Sequence, residues 1–251
     1  MDELEAAGRA IADADRAVAM TGAGVSTASG VPSFRGPGGL WDRYDPDDFH
    51  VRRFERDPGA FWELWVDVQT DVFGGEEIAP NRAHTALAEL EGQGLLDAVL
   101  TQNVDGLHQS AGSETVIELH GAHDRVECQR CGRRGDADPV VDRARDGELP
   151  PRCEACSGAL KPASVLFGEP LPESALLRAH VHAEKSEAFL VAGSSLTVEP
   201  AASLPETAAD TDATLIVVND QPTPHDELAE YVFRDDVTDV LPRLRAVAAG
   251  E

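Results

Sequence analysis

Lysine is almost missing from this 251-residue sequence: of its 21 basic residues only Lys161 and Lys185 are lysines, set against 46 Asp and Glu. The formal net charge of -25 opposes non-specific attraction to nucleic acid phosphates and anionic lipid, so neither nucleic acid nor a membrane is an expected partner. No run of ~18 apolar residues is present that could cross a bilayer. The opening MDELEAAGRAIADAD has neither the basic start nor the continuous apolar stretch of a secretory signal. A cytoplasmic protein is expected. No internal repeat or low-complexity tract is visible, and a 42% hydrophobic content supplies a substantial core, which excludes a short disordered adaptor. Abundant carboxylates with arginine in place of lysine fit a halophilic protein hydrated in a salt-rich cytoplasm, where screening removes self-repulsion. An acidic protein with a basic partner is the alternative.

What is present is a recurring unit: a short β-rich apolar run, then Gly, Asn or Ser, then a helical pattern. RAVAM (16–20), AVLTQN (98–103), VIELHG (116–121), EAFLVAGSS (187–195) and ATLIVVND (213–220) are the runs. NRAHTALAELE from Asn81 and ESALLRAHVHAEK from Glu173 have the apolar spacing of packed helices. This predicts an α/β fold with a doubly wound parallel sheet. Two stretches break the alternation and are expected to be insertions: 37–80, helical and rich in Trp and Phe, and 124–160, which holds all four cysteines. Residues 1–36, 81–123 and 161–251 would then form the main domain. The insertions would form a smaller lobe, with a ligand cleft between.

The segment Gly22-Ala23-Gly24-Val25-Ser26 follows an apolar strand, so its N–H groups can approach a phosphate and a helix N-terminus can face the charge. The dehydrogenase fingerprint G-x-G-x-x-G fails, because Thr27 occupies the third glycine position. An ordinary strand-to-helix turn remains the alternative for this loop taken alone. Gln102-Asn103-Val104-Asp105, Gly193-Ser194-Ser195 and Asn219-Asp220 end further strands on the same rim, and together they favour an extended nucleotide.

Cys128-x-x-Cys131 and Cys153-x-x-Cys156 are tight pairs that can place four thiolates tetrahedrally around zinc. Two disulfides are the alternative, disfavoured in a cytoplasmic chain. Four thiolates leave no open coordination position, so the zinc is expected to be structural. Among eight histidines, His120 is singled out by closing the strand VIELHG on the ligand rim. His84 and His108 lie in helical or turn patterns and are expected to pack or cap.

Read in order, TGAGVSTASGVPSFRG, TQNVDGLHQSAG, ELHG, the paired CxxC motifs, LFGEPLP, GSSLTVEPAA and VVND resemble the sirtuin family, from about Arg16 to Leu244. The resemblance implies a doubly wound NAD-binding domain carrying a helical and a zinc module. It also implies an NAD-dependent deacylase acting on acylated lysine peptides of protein substrates. In sirtuins the acyl oxygen attacks the ribose carbon as nicotinamide leaves, and a histidine base activates a ribose hydroxyl; His120 matches that base. Gly22, Ala23, Gly24 and Ser26 would line the pyrophosphate. Phe34 and Arg35 would lie on the loop that closes over NAD, where Arg35 can pair with phosphate. Gln102 and Asn103, the latter counted with His120 as catalytic, would hold the nicotinamide ribose, and Asp105 the carboxamide. Gly193, Ser194 and Ser195 would face phosphate and ribose, with Asn219 and Val237 nearer the adenosine. Val165 and Phe167 would wall the acyl-lysine tunnel, and Gly168 and Glu169 would flank the substrate peptide's backbone.

Where many sirtuins have Pro-Asp-Phe-Arg, this chain has Pro32-Ser33-Phe34-Arg35, which resembles the branch bearing Thr and leaves the subgroup open. Sirtuins that prefer succinyl or malonyl groups carry Tyr-x-x-Arg in the helical module. Aligning on Asp57-Pro58 puts Trp65 and Val68 there, which implies a preference for apolar acyl groups; simple core packing of both residues is the alternative. ADP-ribosyl transfer to protein, a non-catalytic NAD sensor and, last, a dehydrogenase are the competing functions.

Overall fold

The computed structural model describes residues 2–34, 38–73 and 78–251. Strands are Ala17–Thr21 (β1), Ala98–Thr101 (β2), Val116–Glu118 (β3), Arg125–Cys128 (β4), Arg134–Asp136 (β5), Leu160–Pro162 (β6), Ala188–Ala192 (β7), Thr214–Val218 (β8) and Tyr231–Phe233 (β9). Helices are Glu3–Asp13 (α1), Val51–Arg56 (α2), Pro58–Phe73 (α3), Arg82–Gly92 (α4), Leu107–Ser110 (α5), Asp138–Arg145 (α6), Glu173–Lys185 (α7), Leu204–Ala209 (α8) and Val237–Ala248 (α9).

The main sheet is parallel, in the order β3-β2-β1-β7-β8-β9. Its central strands are buried on both faces, and alternation sorts their side chains between two cores. Ala17, Ala19, Val99, Leu190, Ile216 and Val218 face one way, toward Leu4, Leu87 and Leu244 of α1, α4 and α9. Val18, Met20, Leu100, Phe189, Val191 and Val217 face the other, toward Ala179 of α7 and Leu204 of α8. The chain runs outward from β1 through β2 to β3, then returns to β1's other side as β7. That reversal makes the C-terminal ends of β1 and β7 the switch point where open α/β sheets bind ligands.

The smaller lobe combines the antiparallel sheet β5-β4-β6 with α2, α3 and α6. The helical and cysteine-bearing stretches share one core, in which Phe54, Phe61, Trp62, Trp65 and Val68 pack with Val126, Val141, Ala144 and Leu160. Trp62 Nε1 donates to the Leu160 carbonyl at 2.8 Å, so the indole N–H is satisfied inside that core. Among the described residues no helix is long and apolar enough to cross a membrane.

Candidate active site

At the switch point two loops meet almost backbone to backbone: Gly24 N donates to the Gly193 carbonyl at 2.8 Å. A Cβ on Gly193, which has φ +60°, would sit 2.4 Å from Val25 N, and one on Gly24 would sit 2.8 Å from Gly193 Cα. Glycine at both positions is therefore a requirement of close approach. Past Gly22 the chain makes two short 3₁₀ turns, Ala23–Val25 and Thr27–Ser29, rather than the helix whose N-terminus was expected to face a phosphate. A dehydrogenase needs its third glycine for close helix-to-strand packing; with no such helix here, Thr27 is accommodated.

The polar strand ends interlock. Asn103 Nδ2 donates to the Gly22 carbonyl at 3.0 Å and to Ser26 Oγ at 3.1 Å, and Ser26 Oγ donates to Asp105 Oδ2 at 2.7 Å. Ser194 Oγ donates to Gln102 Oε1 at 2.9 Å. Gly22, Ser26, Gln102, Asn103, Asp105, Gly193 and Ser194 are thus brought together along one rim. Ser195 is exposed beside them and shares a hydrogen bond with Thr197. Asn219 is buried at the end of β8 with its Nδ2 donating to the Gln221 carbonyl. Val237 is the first residue of α9 and belongs to a buried core. Arg35 lies outside the described residues.

Sequence reasoning missed a second tier beneath this rim. His84 Nδ1 accepts from Asn81 N in a capping box, so its Nε2 carries the proton toward Ser26 Oγ, 3.3 Å away. Burial pushes its pKa down to about 4. His108 Nε2 lies 2.8 Å from Thr21 Oγ1, which itself donates to Thr101 Oγ1 at 2.9 Å. Burial, then the neighbouring His84, push His108 down to about 3. Both histidines cap or pack as expected, but they also buttress the rim through contacts across 58 and 87 residues of sequence, which no local pattern announces.

His120 follows β3, with Nδ1 3.1 Å from the Gln102 carbonyl. A carbonyl can only accept, so Nδ1 carries the proton and Nε2 is left with a free lone pair. Burial lowers the pKa, with the Gln102 hydrogen bond opposing it. The ring is consequently neutral near pH 7 and oriented as a base. Gly121, at φ +71°, lets the Ala163 carbonyl pass where a Cβ would be 2.1 Å away. Val165 N then donates to the His120 carbonyl at 2.9 Å, which puts the expected acyl-lysine wall beside His120.

Phe167, 42% exposed, is held by Phe167 N donating to the Phe49 carbonyl and Val51 N donating to the Phe167 carbonyl. Trp41, another residue given no role from sequence, lies between Phe34 and Phe167, with ring centroids 5.5 and 5.8 Å away. It joins the expected cofactor loop to the expected substrate wall. Gly168 and Glu169 follow directly, while Trp65 and Val68 are buried in the smaller lobe's core.

In that lobe the four sulfurs all lie within 4.8 Å of one another. Cys128 Sγ to Cys156 Sγ is 3.4 Å and Cys131 Sγ to Cys153 Sγ is 3.9 Å. Zinc bonds of ~2.3 Å in a tetrahedron imply sulfur separations near ~3.8 Å, so this donor set fits one zinc ion.

The Sir2 family model matches residues 22–200, which include the glycine-rich loop, His120 and all four cysteines. The chain belongs to the Sir2 family. A Haloarcula marismortui relative named NAD-dependent protein deacetylase is 52% identical over 97% of this chain and 94% of its own length. An Archaeoglobus fulgidus relative named NAD-dependent protein deacylase 2 is 44% identical, covering 97% and 95%. Among solved structures, a Sir2 complex with a p53 peptide and NAD+ is 35% identical, with TM-score 0.86 and 97% of both chains covered. Sir2Af2 bound to a myristoylated histone peptide is 38% identical, with TM-score 0.80, covering 99% of this chain and 97% of its own.

Proposed function

We infer that this Sir2-family chain removes acetyl groups from protein lysine side chains in an NAD-dependent reaction, giving nicotinamide, O-acetyl-ADP-ribose and free lysine. The observation that carries this is His120, neutral and with its proton on Nδ1, at the switch-point rim of a Sir2 fold. NAD, when bound, supplies the driving force by cleavage of its nicotinamide glycosidic bond. The chain's own work is to hold and to move a proton. Gly22, Ala23, Gly24, Ser26, Gly193, Ser194 and Ser195 would hold phosphate and ribose, with Phe34 and Arg35 closing over them. Asn219 and Val237 would lie nearer the adenosine, and Gln102, Asn103 and Asp105 would orient the nicotinamide end. His120 Nε2 would take the proton from a ribose hydroxyl. Val165 and Phe167 would wall the acyl-lysine tunnel, Gly168 and Glu169 would flank the substrate peptide's backbone, and Trp65 and Val68 would close the acyl end.

The four clustered cysteines would hold one zinc ion, structural in role because four thiolates would fill its coordination sphere. The domain division proposed is 1–36, 81–123 and 161–251 for the NAD-binding part, 37–80 for the helical module and 124–160 for the zinc module; the shared core of the last two supports treating them as one lobe. The acidic, lysine-poor composition and the Haloarcula relative support a salt-adapted cytoplasmic protein without nucleic acid or membrane partners. At molar salt the screening length is ~3 Å, so recognition of a peptide must rest on contact rather than steering.

Mass spectrometry of the reaction of purified protein, NAD and an acetylated peptide tests the function. Nicotinamide with O-acetyl-ADP-ribose is expected. ADP-ribosylated protein as the sole product would replace deacetylation with ADP-ribosyl transfer, and no NAD turnover would leave only a sensor.

A further inference from the structure

In a chain that uses arginine almost everywhere a cation is needed, Lys161 is a lysine, and it is 7% exposed. Its three ammonium donors have three oxygens to meet: the Pro162 carbonyl at 2.9 Å, the Ser164 carbonyl at 3.0 Å and Glu169 Oε2 at 3.0 Å. A compact ammonium can serve three converging acceptors, whereas a planar guanidinium presents its donors in one fork. The geometry accounts for the lysine.

Glu169 Oε2 also accepts from Leu166 N at 2.8 Å, so the ion pair ties the start of an arch formed by residues 164–168, at the Ser164 carbonyl, and its middle, at Leu166, to Glu169 just beyond its end. The arch is tied at two further points. Val165 N reaches the His120 carbonyl, and Phe167 forms a parallel bridge with His50 of the helical module. An ion pair this far from water, with Lys161 buried and Glu169 partly so, adds little net stability, because desolvation offsets most of the Coulomb attraction, but an incomplete one leaves costly unpaired groups. Its effect is therefore to select one conformation of the arch.

We propose that Lys161 is a positioning residue for deacetylation, clasping Glu169 so that the acyl-lysine wall at residues 164–168 stays in register with His120. The proposal rests on the reading of that wall as the peptide site. Lys161 itself, enclosed by its three acceptors, contacts no substrate.

The test is Lys161→Met, which keeps the stem's length and apolar character while removing the ammonium, alongside Lys161→Arg. An acetyl-lysine peptide and ADP-ribose are titrated separately by calorimetry, with zinc content and steady-state KM measured on the same samples. For Lys161→Met, peptide Kd and KM are expected to rise ~10-fold or more, the scale of a lost charge-assisted hydrogen bond. ADP-ribose affinity and zinc content should stay at the wild-type level. Lys161→Arg should fall between, since the charge survives but the third acceptor is lost, and it decides the matter alone if the Met variant does not fold. Wild-type peptide affinity in the folded variants would overturn the proposal, as would a parallel loss of ADP-ribose affinity, which marks a merely structural role. An inactive wild type would instead overturn the deacetylase reading, so the two failures are distinguishable.

Discussion

His120 Nδ1 and the Gln102 carbonyl, 3.1 Å apart, fix which ring nitrogen of the histidine can act. One strand end thereby sets the tautomer of the residue that closes its neighbour, since Gln102 follows β2 and His120 follows β3. Activity should be constant near neutral pH and fall on acidification. Burial lowers the His120 pKa from its ordinary value of 6.5, so the acid limb of kcat/KM is expected below pH 6.5. His120→Ala should lose ~10² to 10⁴ in kcat, the usual scale of general base catalysis, while ADP-ribose affinity is retained. Near wild-type turnover by that variant would remove His120 from the mechanism.

His84 and His108 should make the fold acid-sensitive for the same physical reason. Their pKa values are pushed down to about 4 and about 3 from 6.5, so the unfolded chain binds protons that the folded chain refuses. The stability involved is fully present above pH 6.5 and is lost as pH falls toward 4 and 3. Each ring contributes a slope of up to ~1.4 kcal/mol per pH unit in that window. Denaturant titrations from pH 6.5 to 4.5 should show His108→Gln with a flatter profile than wild type. An identical slope would mean His108 titrates normally in the folded protein.

The parallel core was legible because its strands are buried on both faces and carry apolar runs, as AVL of β2 and AFLVA of β7 do. Helices α4 and α7 were legible from their spacing. The edge strand Tyr231–Phe233 is three half-buried residues, too short to carry a period, and α9 has Pro242 within it, which speaks locally against a helix. The switch-point glycines were visible, but the 3₁₀ turns after Gly22 were not, since a glycine-rich loop after a strand is compatible with either outcome. Ser26, Asn103 and Asp105 were readable as rim residues. Their mutual hydrogen bonds, the histidines beneath them and Trp41 between Phe34 and Phe167 depend on contacts distant in sequence.

Cys128, Cys131, Cys153 and Cys156 should bind one zinc per chain, and replacing any of them with Ala should destabilise the smaller lobe. Structural zinc supplies folding free energy to small modules. Because Cys128 and Cys153 are buried in the core shared with α3, the damage should reach the helical module, with intrinsic fluorescence of Trp62 and Trp65 shifting to the red. Metal analysis finding no zinc in folded, active protein would contradict this.

The proposed acyl preference rests on Trp65 and Val68, which are 7% and 5% exposed. The indole of Trp65 stacks near Phe61 at 6.0 Å, and its Nε1 has no hydrogen-bond partner among the described residues. A succinyl carboxylate arriving there would find one neutral donor and, at Val68, none. Burying a carboxylate without a cationic partner costs several kcal/mol, and each ~1.4 kcal/mol is tenfold in selectivity. An acetyl group brings no such charge, and its methyl gains from the same apolar walls. If the two residues only pack the core, carboxylate recognition at these positions is equally forbidden. Deacetylation should therefore exceed desuccinylation of the same peptide by at least ~100-fold in kcat/KM, the unmatched charge dominating the difference. Equal kcat/KM values for the two acyl forms would refute this, and would direct the search to an arginine entering the acyl site from another element.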